Sequence, residues 1–281
     1  MNTEPTPTQQ ARPSANPAAH SSGAPAPILD LPEDRVDLRD HLEGLSKAHE
    51  NDFRASSIAG RLMLHSKGGR VLDAGCGSGL LSLRLHRAGC DVVSVDAEEA
   101  MVGFTRQTLR NGGFEDAVVQ QMTLERLDSL QGGKFDEIYC CDVIEHIEDD
   151  LLAMRQLRSM LKPDGQLILT VPAWPFLYGE RDRRMGHYRR YTRKALKRVF
   201  VESGFEIRSV RWWNLSGFLL NAIGSKLKKK GFSEGFRYGK RSALNRAGHW
   251  FLNRWFHGFE NHVPVPAGLT LIVVADRGTK N

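Results

Sequence analysis

Three glycines at alternate positions, Gly75, Gly77 and Gly79, separate the apolar run Val71-Leu72-Asp73-Ala74 from a second apolar run that begins at Leu80. Glycine accepts the backbone conformations of a tight turn and carries no side chain to hold a ligand away. A turn that ends a strand and opens a helix also presents N–H groups with no partner in the helix, and these suit an anionic part of a bound molecule. The spacing is not that of a dinucleotide-binding turn, because Leu80 stands where the third glycine of G-x-G-x-x-G belongs, and the Lys of a phosphate-binding P-loop is missing. A carboxylate, Asp96, follows 23 residues after Asp73, at the end of the next apolar run. Placed there, it can accept hydrogen bonds from two adjacent ribose hydroxyls. Turn and carboxylate together support an adenosine-containing ligand without selecting a reaction.

These residues need a frame, and the rest of the chain supplies its pattern. Apolar runs over 70–74, 91–95, 117–120, 135–140, 166–171, 206–211 and 269–275 read as strands. Between them, 80–88, 98–111, 150–160 and 192–202 carry helical spacing, and Pro163-Asp164-Gly165 is a turn. This alternation predicts a doubly wound, mostly parallel α/β sheet with helices on both faces. In such sheets, ligands bind outside the carboxyl ends of the strands. Two segments leave those ends: 141–147, which contains Glu145 and His146, and 172–191, which contains His187. Twenty residues without regular pattern in that place are more often functional than idle.

Asp73 through Gly79, Asp96, Phe135-Asp136-Glu137-Ile138 with Asp142-Val143-Ile144-Glu145-His146, and Leu161-Lys162-Pro163-Asp164-Gly165-Gln166-Leu167 together resemble class I S-adenosylmethionine-dependent methyltransferases. Order and intervals match over roughly 50–211 and again at the last strand. The resemblance implies a seven-stranded sheet with its last strand antiparallel. The connection before that strand is expanded here, which leaves the family's short hairpin open. The resemblance also implies roles. Gly75, Cys76, Gly77 and Gly79 would pass under the methionine portion of the cofactor, and Asp73 would orient its amino group, directly or through water. Asp96 would hold the ribose, with Ala97 beside the adenine. Met122 would pack on the adenine or, equally, in the core. The backbone of Cys141 would contact the methionine end, and Cys140 would serve packing.

Methyl transfer from a sulfonium is an in-line displacement, so orientation supplies most of the catalysis. A hydroxyl or amine nucleophile gains from a base that takes its proton. Imidazole titrates near neutral pH, which makes His187 the first candidate and His146 the second, with Glu145 as an orienting or neutralising group. A loop-anchoring role for His187 and a packing role for His146 are the competing readings. Arg189 and Arg190 suit a substrate carboxylate or phosphate, or they pair with Glu180 or Asp182 and hold the loop. Trp174, Tyr178, Tyr188 and Tyr191 are candidates to line the acceptor pocket. The run Gly186-His187-Tyr188-Arg189-Arg190-Tyr191 resembles a subgroup acting in natural-product, quinone-like and surface-polysaccharide pathways.

The remaining features bound the setting. Residues 1–27 hold six Pro and six Ala with little to bury and are expected to be a disordered tail, followed by a helical cap over 28–66 and the main domain over 67–281. Asp30 or Asp37 would cap the first helical piece. Within the main domain, 172–191 is the expected active-site loop and 213–262 a basic helical insert with nine Lys or Arg against Glu234 and Glu260. The face over 212–230 suits anionic lipid, or it packs on the core or on a second copy. The net charge of +6 permits nucleic acid, so an RNA or protein acceptor is the alternative to a small molecule, but no nucleic-acid-binding motif is present. Four cysteines without Cys-x-x-Cys spacing indicate neither a disulfide framework nor a metal cluster, and a cytoplasmic location is the default expectation.

Overall fold

The computed structural model describes residues 53–226, 250, 252 and 254–279. The expectations for 1–52, and for the lysines over 228–230, lie outside the described residues.

Seven strands form one sheet: β1 Arg70–Ala74, β2 Asp91–Asp96, β3 Val118–Gln121, β4 Phe135–Cys141, β5 Leu161–Pro172, β6 Glu206–Trp213 and β7 Thr270–Asp276. Their order is β3-β2-β1-β4-β5-β7-β6. The first five run parallel, and β7 inserts antiparallel between β5 and β6. The central strands are buried along nearly their whole length, as strands covered on both faces must be.

Two apolar layers sandwich this sheet. On one face, Leu157 of α4 (Asp150–Met160) and Leu196 and Phe200 of α6 (Arg193–Glu202) pack with Leu72, Ile138 and Leu169. On the other, Leu62 of α1 (Phe53–Met63) and Leu85 of α2 (Leu80–Arg87) pack with Val71, Tyr139 and Ile272. α3 (Glu99–Asn111) follows β2 and buries Val102 and Leu109 beside Val119 of β3. Side-chain caps start two of these helices: Asp149 accepts from Leu152 N at 2.9 Å and Thr192 from Ala195 N at 3.0 Å.

Several expectations need correction. The described part of the N-terminal helical segment is α1, which packs beside α2. It lies on the sheet face, where Arg84 bonds Ser56 Oγ at 2.6 Å and Asn261 bonds the Ser57 carbonyl at 3.1 Å. Trp212 and Trp213 belong to β6, not to an insert helix, and Trp213 is 1% exposed. They extend the strand because β7 offers partners through Thr270. β6 and β7 keep their antiparallel pairing despite the long connection. Its two ends are clasped to each other: Glu260 accepts from Leu215 N at the start of α7 (Leu215–Lys226) at 2.8 Å, and Trp213 Nε1 donates to Asn261 at 3.0 Å. Segment 172–191 is not wholly irregular, since it contains a 3-10 turn, Pro175–Leu177, and the short helix α5, Glu180–Arg184. Among the described residues, no helix is long and apolar enough to cross a membrane.

At the edge of the sheet remote from the glycine turn, Glu137 is fully buried. It accepts hydrogen bonds from Ser66 Oγ at 3.0 Å, Gln166 Nε2 at 2.8 Å and Tyr139 OH at 3.2 Å, and from the Lys67 backbone N–H. Removing this one acceptor leaves the buried Tyr139 hydroxyl without it and takes one of two bonds from Gln166 Nε2. Glu137→Ala is therefore expected to lower stability by about 2–3 kcal/mol, read as a shift of the urea unfolding midpoint.

Candidate functional site

The turn between β1 and α2 is held in shape by its own backbone. Gly75 and Cys76 both donate to the Val95 carbonyl, at 2.8 and 2.9 Å, which ties the turn to β2. Asp96 closes the other side: its carboxylate accepts from Gly77 N at 2.9 Å and from Glu98 N at 3.0 Å. Burial pushes the Asp96 carboxyl up, and these two N–H donors oppose that shift. A carboxylate has about four acceptor positions, so capacity remains for a bound hydroxyl pair.

The three glycines are needed for different reasons. Each has positive φ: +88° at Gly75, +51° at Gly77 and +75° at Gly79. A Cβ on Gly75 would lie 2.2 Å from Val143 Cγ2, and one on Gly79 would lie 3.0 Å from the Thr105 Cα. A Cβ on Gly77 would meet nothing within 4 Å. Thus Gly75 and Gly79 let the turn pack on its neighbours, whereas Gly77 leaves bare backbone facing open space.

Asp73 plays a different part from the one its position suggested. It is 1% exposed, and it accepts from Ser82 Oγ at 2.5 Å, which in turn accepts from Ser94 Oγ at 2.9 Å. Burial raises its carboxyl to about 6. Asp73 thus fastens α2 to β1 and β2, and a direct grip on a ligand is not what its geometry provides. The Cys76 side chain is buried against Thr105, so only its backbone borders the turn. Ala97 is exposed at the end of β2, Met122 is half-buried against the core, and Cys141 ends β4. All of these residues share the carboxyl edge of the sheet.

Val143, in contact with Gly75, links this crevice to a second cluster. A 3-10 turn, Ile144–His146, places Glu145 and His146 just beyond β4, and the Tyr188 N–H donates to the Glu145 carbonyl at 2.7 Å. His187 thereby meets His146 edge-on, with ring centroids 4.5 Å apart. His187 Nδ1 lies 3.0 Å from Asp182 Oδ1, and Asp182 is fixed by Arg190 Nε at 2.8 Å and by Gly179 N at 3.0 Å. Burial acts to raise the Asp182 carboxyl, but the bonds from His187 and Arg190 prevail and hold it at about 2. His146 is lowered to about 4, first by desolvation and then by its histidine neighbour, although the residue is exposed. Glu145 is fully buried, and neither carboxylate oxygen has a hydrogen-bond partner. Burial, with Asp142 nearby, drives its carboxyl well above the usual range.

The structure brings both histidines together as the sequence suggested, but it uses several expected acceptor contacts to brace the loop. Arg190 bonds Asp182 and the Ala173 carbonyl, and Arg189 bonds Asp150 at 3.0 Å and the Glu148 carbonyl at 2.6 Å. Tyr191 is buried with its hydroxyl on Asp150 at 2.8 Å, and Tyr178 OH donates to the His187 carbonyl at 2.7 Å. Trp174 stacks flat on Trp212, with centroids 4.6 Å apart, and donates from Nε1 to the Gly268 carbonyl. Tyr188 alone of the set is largely exposed, at 55%. The expected alternative, Asp182 pairing with an arginine to hold the loop, is what Arg190 does. Sequence reasoning missed the link from Asp182 to His187, because a separation of five residues fits neither helix nor strand spacing. Asp142 and Trp174 also hold positive φ, +55° and +66°, at the ends of β4 and β5. Such backbone strain clusters at functional sites.

Comparison with known proteins places the fold. A family model described as a methyltransferase domain matches residues 49–210. The ubiquinone biosynthesis O-methyltransferase of Xanthomonas axonopodis pv. citri is 37% identical over 121 residues, 43% of this chain and 49% of that protein. The chain thus spans about half the length of the curated relatives it matches. Geranyl diphosphate C-methyltransferase from Streptomyces coelicolor superposes with a TM-score of 0.56 at 15% identity, covering 83% of this chain and 82% of that one. Magnesium protoporphyrin IX methyltransferase from Synechocystis gives 0.50 at 18% identity, covering 84% and 86%.

The two glycine environments separate in a stability experiment. Gly77→Ala is expected to cost about 1 kcal/mol, the price of a left-handed residue with a Cβ. Gly75→Ala adds overlap with Val143 and is expected to cost at least about 2 kcal/mol. Urea unfolding of the two variants checks the order.

Proposed function

This chain belongs to the methyltransferase family, and from that membership we propose that it carries a methyl group from S-adenosylmethionine to an oxygen of a small-molecule acceptor. The observation that carries the proposal is the Asp96 carboxylate closing on Gly77 N at 2.9 Å, beside backbone that no side chain covers. Those residues fit an adenosyl amino acid. Asp96 keeps acceptor capacity for the ribose, Ala97 and Met122 border the adenine side, and Gly75, Gly77 and Cys141 border the methionine side. The bound cofactor supplies a methyl group on positively charged sulfur, which leaves as a neutral thioether.

The chain's own task is to align the acceptor and take up its proton. The glycine turn and the 145–187 cluster would hold an acceptor oxygen between them, in line with the methyl group that the bound cofactor would supply. In the protein by itself, His187 is the group placed to receive the proton. Asp182 engages Nδ1 and so leaves the lone pair on Nε2, while the charge that develops on the ring is balanced by the same carboxylate. His146, held neutral, borders the same space.

The aromatic wall favours an acceptor with an apolar body. Trp174 lies against Trp212, Phe176 and Phe218, and Phe176 is 68% exposed. Leu219 and Leu220 of α7 are exposed beside this wall's Phe218. The relatives' name, ubiquinone biosynthesis O-methyltransferase, agrees with an oxygen on an apolar acceptor. In this reading 172–191 is the loop that closes the acceptor side, and α7 follows the wall residue Trp212 in the chain.

Isothermal titration with S-adenosylhomocysteine tests the cofactor assignment. Stoichiometric binding is expected, with none for NAD, and a flat titration with S-adenosylhomocysteine would overturn the reading. Asp96→Ala is expected to weaken that binding about 10- to 100-fold, because charge-assisted hydrogen bonds are lost. His187→Ala is expected to lower turnover about 100-fold on a panel of phenols and catechols assayed with methyl-labelled cofactor, with S-adenosylhomocysteine affinity within about twofold of the parent. Equal turnover would remove His187 from the chemistry.

A further inference from the structure

We propose that Glu145, His146 and His187 form a binding site for a divalent first-row transition-metal ion. One ligand atom from each residue lies within 4.8 Å of the others, and no other such group of three is found among the described residues. The sequence suggested no metal, because two of the ligands are adjacent and the third lies more than forty residues on.

Three independent features distinguish this cluster from a chance meeting of side chains. The first is Glu145. A fully buried carboxylate with neither oxygen hydrogen-bonded is a costly arrangement. The second is the histidine support. Metal-bound imidazoles almost always engage a carboxylate or backbone carbonyl through their other nitrogen. His187 engages Asp182 through Nδ1. The His187 ring therefore keeps Nε2 for the cluster. Asp182 is itself locked by Arg190 and Gly179, so the support is rigid. The third is charge. Asp142 and Asp182 act on Glu145 along with one cation, Arg190, and Arg190 is already paired with Asp182.

The donor set selects the kind of ion. Two imidazoles and one carboxylate suit borderline cations such as Zn²⁺ or Co²⁺, and they suit Mg²⁺ and Ca²⁺ less. Bonds of about 2.1 Å draw the three ligands closer together than they stand here, and His146, at the solvent edge, offers the way in. Three protein ligands leave further positions on the ion open. Resting on the proposed methyl transfer, this inference narrows the acceptor to one whose oxygen can ligate a cation, such as a phenol or catechol. With the ion present, His187 serves as ligand, and the ion's charge favours the ionised acceptor oxygen, whose proton passes to solvent.

The test uses untagged full-length protein stripped by chelator. Titration with Co²⁺, followed by its visible absorption, and with Zn²⁺ by competition is expected to show one equivalent bound at micromolar concentration or below. Glu145→Gln and His146→Ala are each expected to weaken Co²⁺ binding at least about 10-fold. Asp182→Asn, which leaves all three ligands in place, is expected to weaken it about 10-fold through His187. His146 lies at the solvent edge, so His146→Ala retains a folded protein to measure even where Glu145→Gln does not. Absence of bound Co²⁺ and Zn²⁺, or binding unchanged in His146→Ala and Glu145→Gln, would overturn the proposal. S-adenosylhomocysteine titration of the same stripped protein separates the two readings. Cofactor-product binding without cation binding defeats the metal site alone, and cation binding without cofactor-product binding defeats methyl transfer alone.

Discussion

One carboxylate, Asp96, governs the crevice on which everything else in this protein depends. It reaches from the end of β2 to the N–H of Gly77 and so joins two parallel strands at the point where their loops diverge. The Val95 carbonyl, one residue earlier, takes the N–H groups of Gly75 and Cys76 from the same turn. The strand end thus supplies nearly all the partners that a left-handed stretch of backbone requires. Without them the turn would expose unpaired N–H groups and lose its shape. With them, the carboxylate is pre-oriented and still has acceptor capacity toward the crevice.

A second carboxylate does similar work across the mouth. Asp182 gathers His187, Arg190 and the start of α5 into one buried knot. That knot explains why so many polar and aromatic groups on the loop turn inward. Arg190 and Tyr178 brace it, while Arg189 and Tyr191 tie its far end to Asp150 at the start of α4. The outcome is a loop that behaves as part of the scaffold and holds two imidazoles and Glu145 at fixed positions. Such preorganisation is what displacement chemistry needs, because misplacement by even one ångström is costly.

The two knots are mechanically linked. Val143 packs on Gly75, and the 3-10 turn that follows sets Glu145 and His146. The left-handed Asp142 lies between β4 and that turn, with its carboxylate bonded to Thr170 of β5 at 3.1 Å. The two knots are thus joined along the chain by Asp142, Val143 and Ile144, of which Asp142 alone has a positive φ.

Much of this was legible in the chain. The alternation of apolar runs and helical spacing determined the strands, the helices and their layering, because burial on two faces permits few other patterns. The glycines at 75, 77 and 79 marked the turn, since only glycine takes such φ values without strain. Asp96 was readable for the same local reason: it ends a strand at a fixed distance from that turn. Tertiary structure decided the rest. Trp212 and Trp213 looked like part of an apolar helix and became strand because β7 offered them a ladder. Asp73 looked like a ligand contact and became a buried fastener because Ser82 and Ser94 converge on it. Above all, Asp182, Glu145, His146 and His187 share no spacing that a helix or a strand imposes. Their meeting is set by how two loops fold over adjacent strand ends, and such long-range contact leaves no period in the sequence to read.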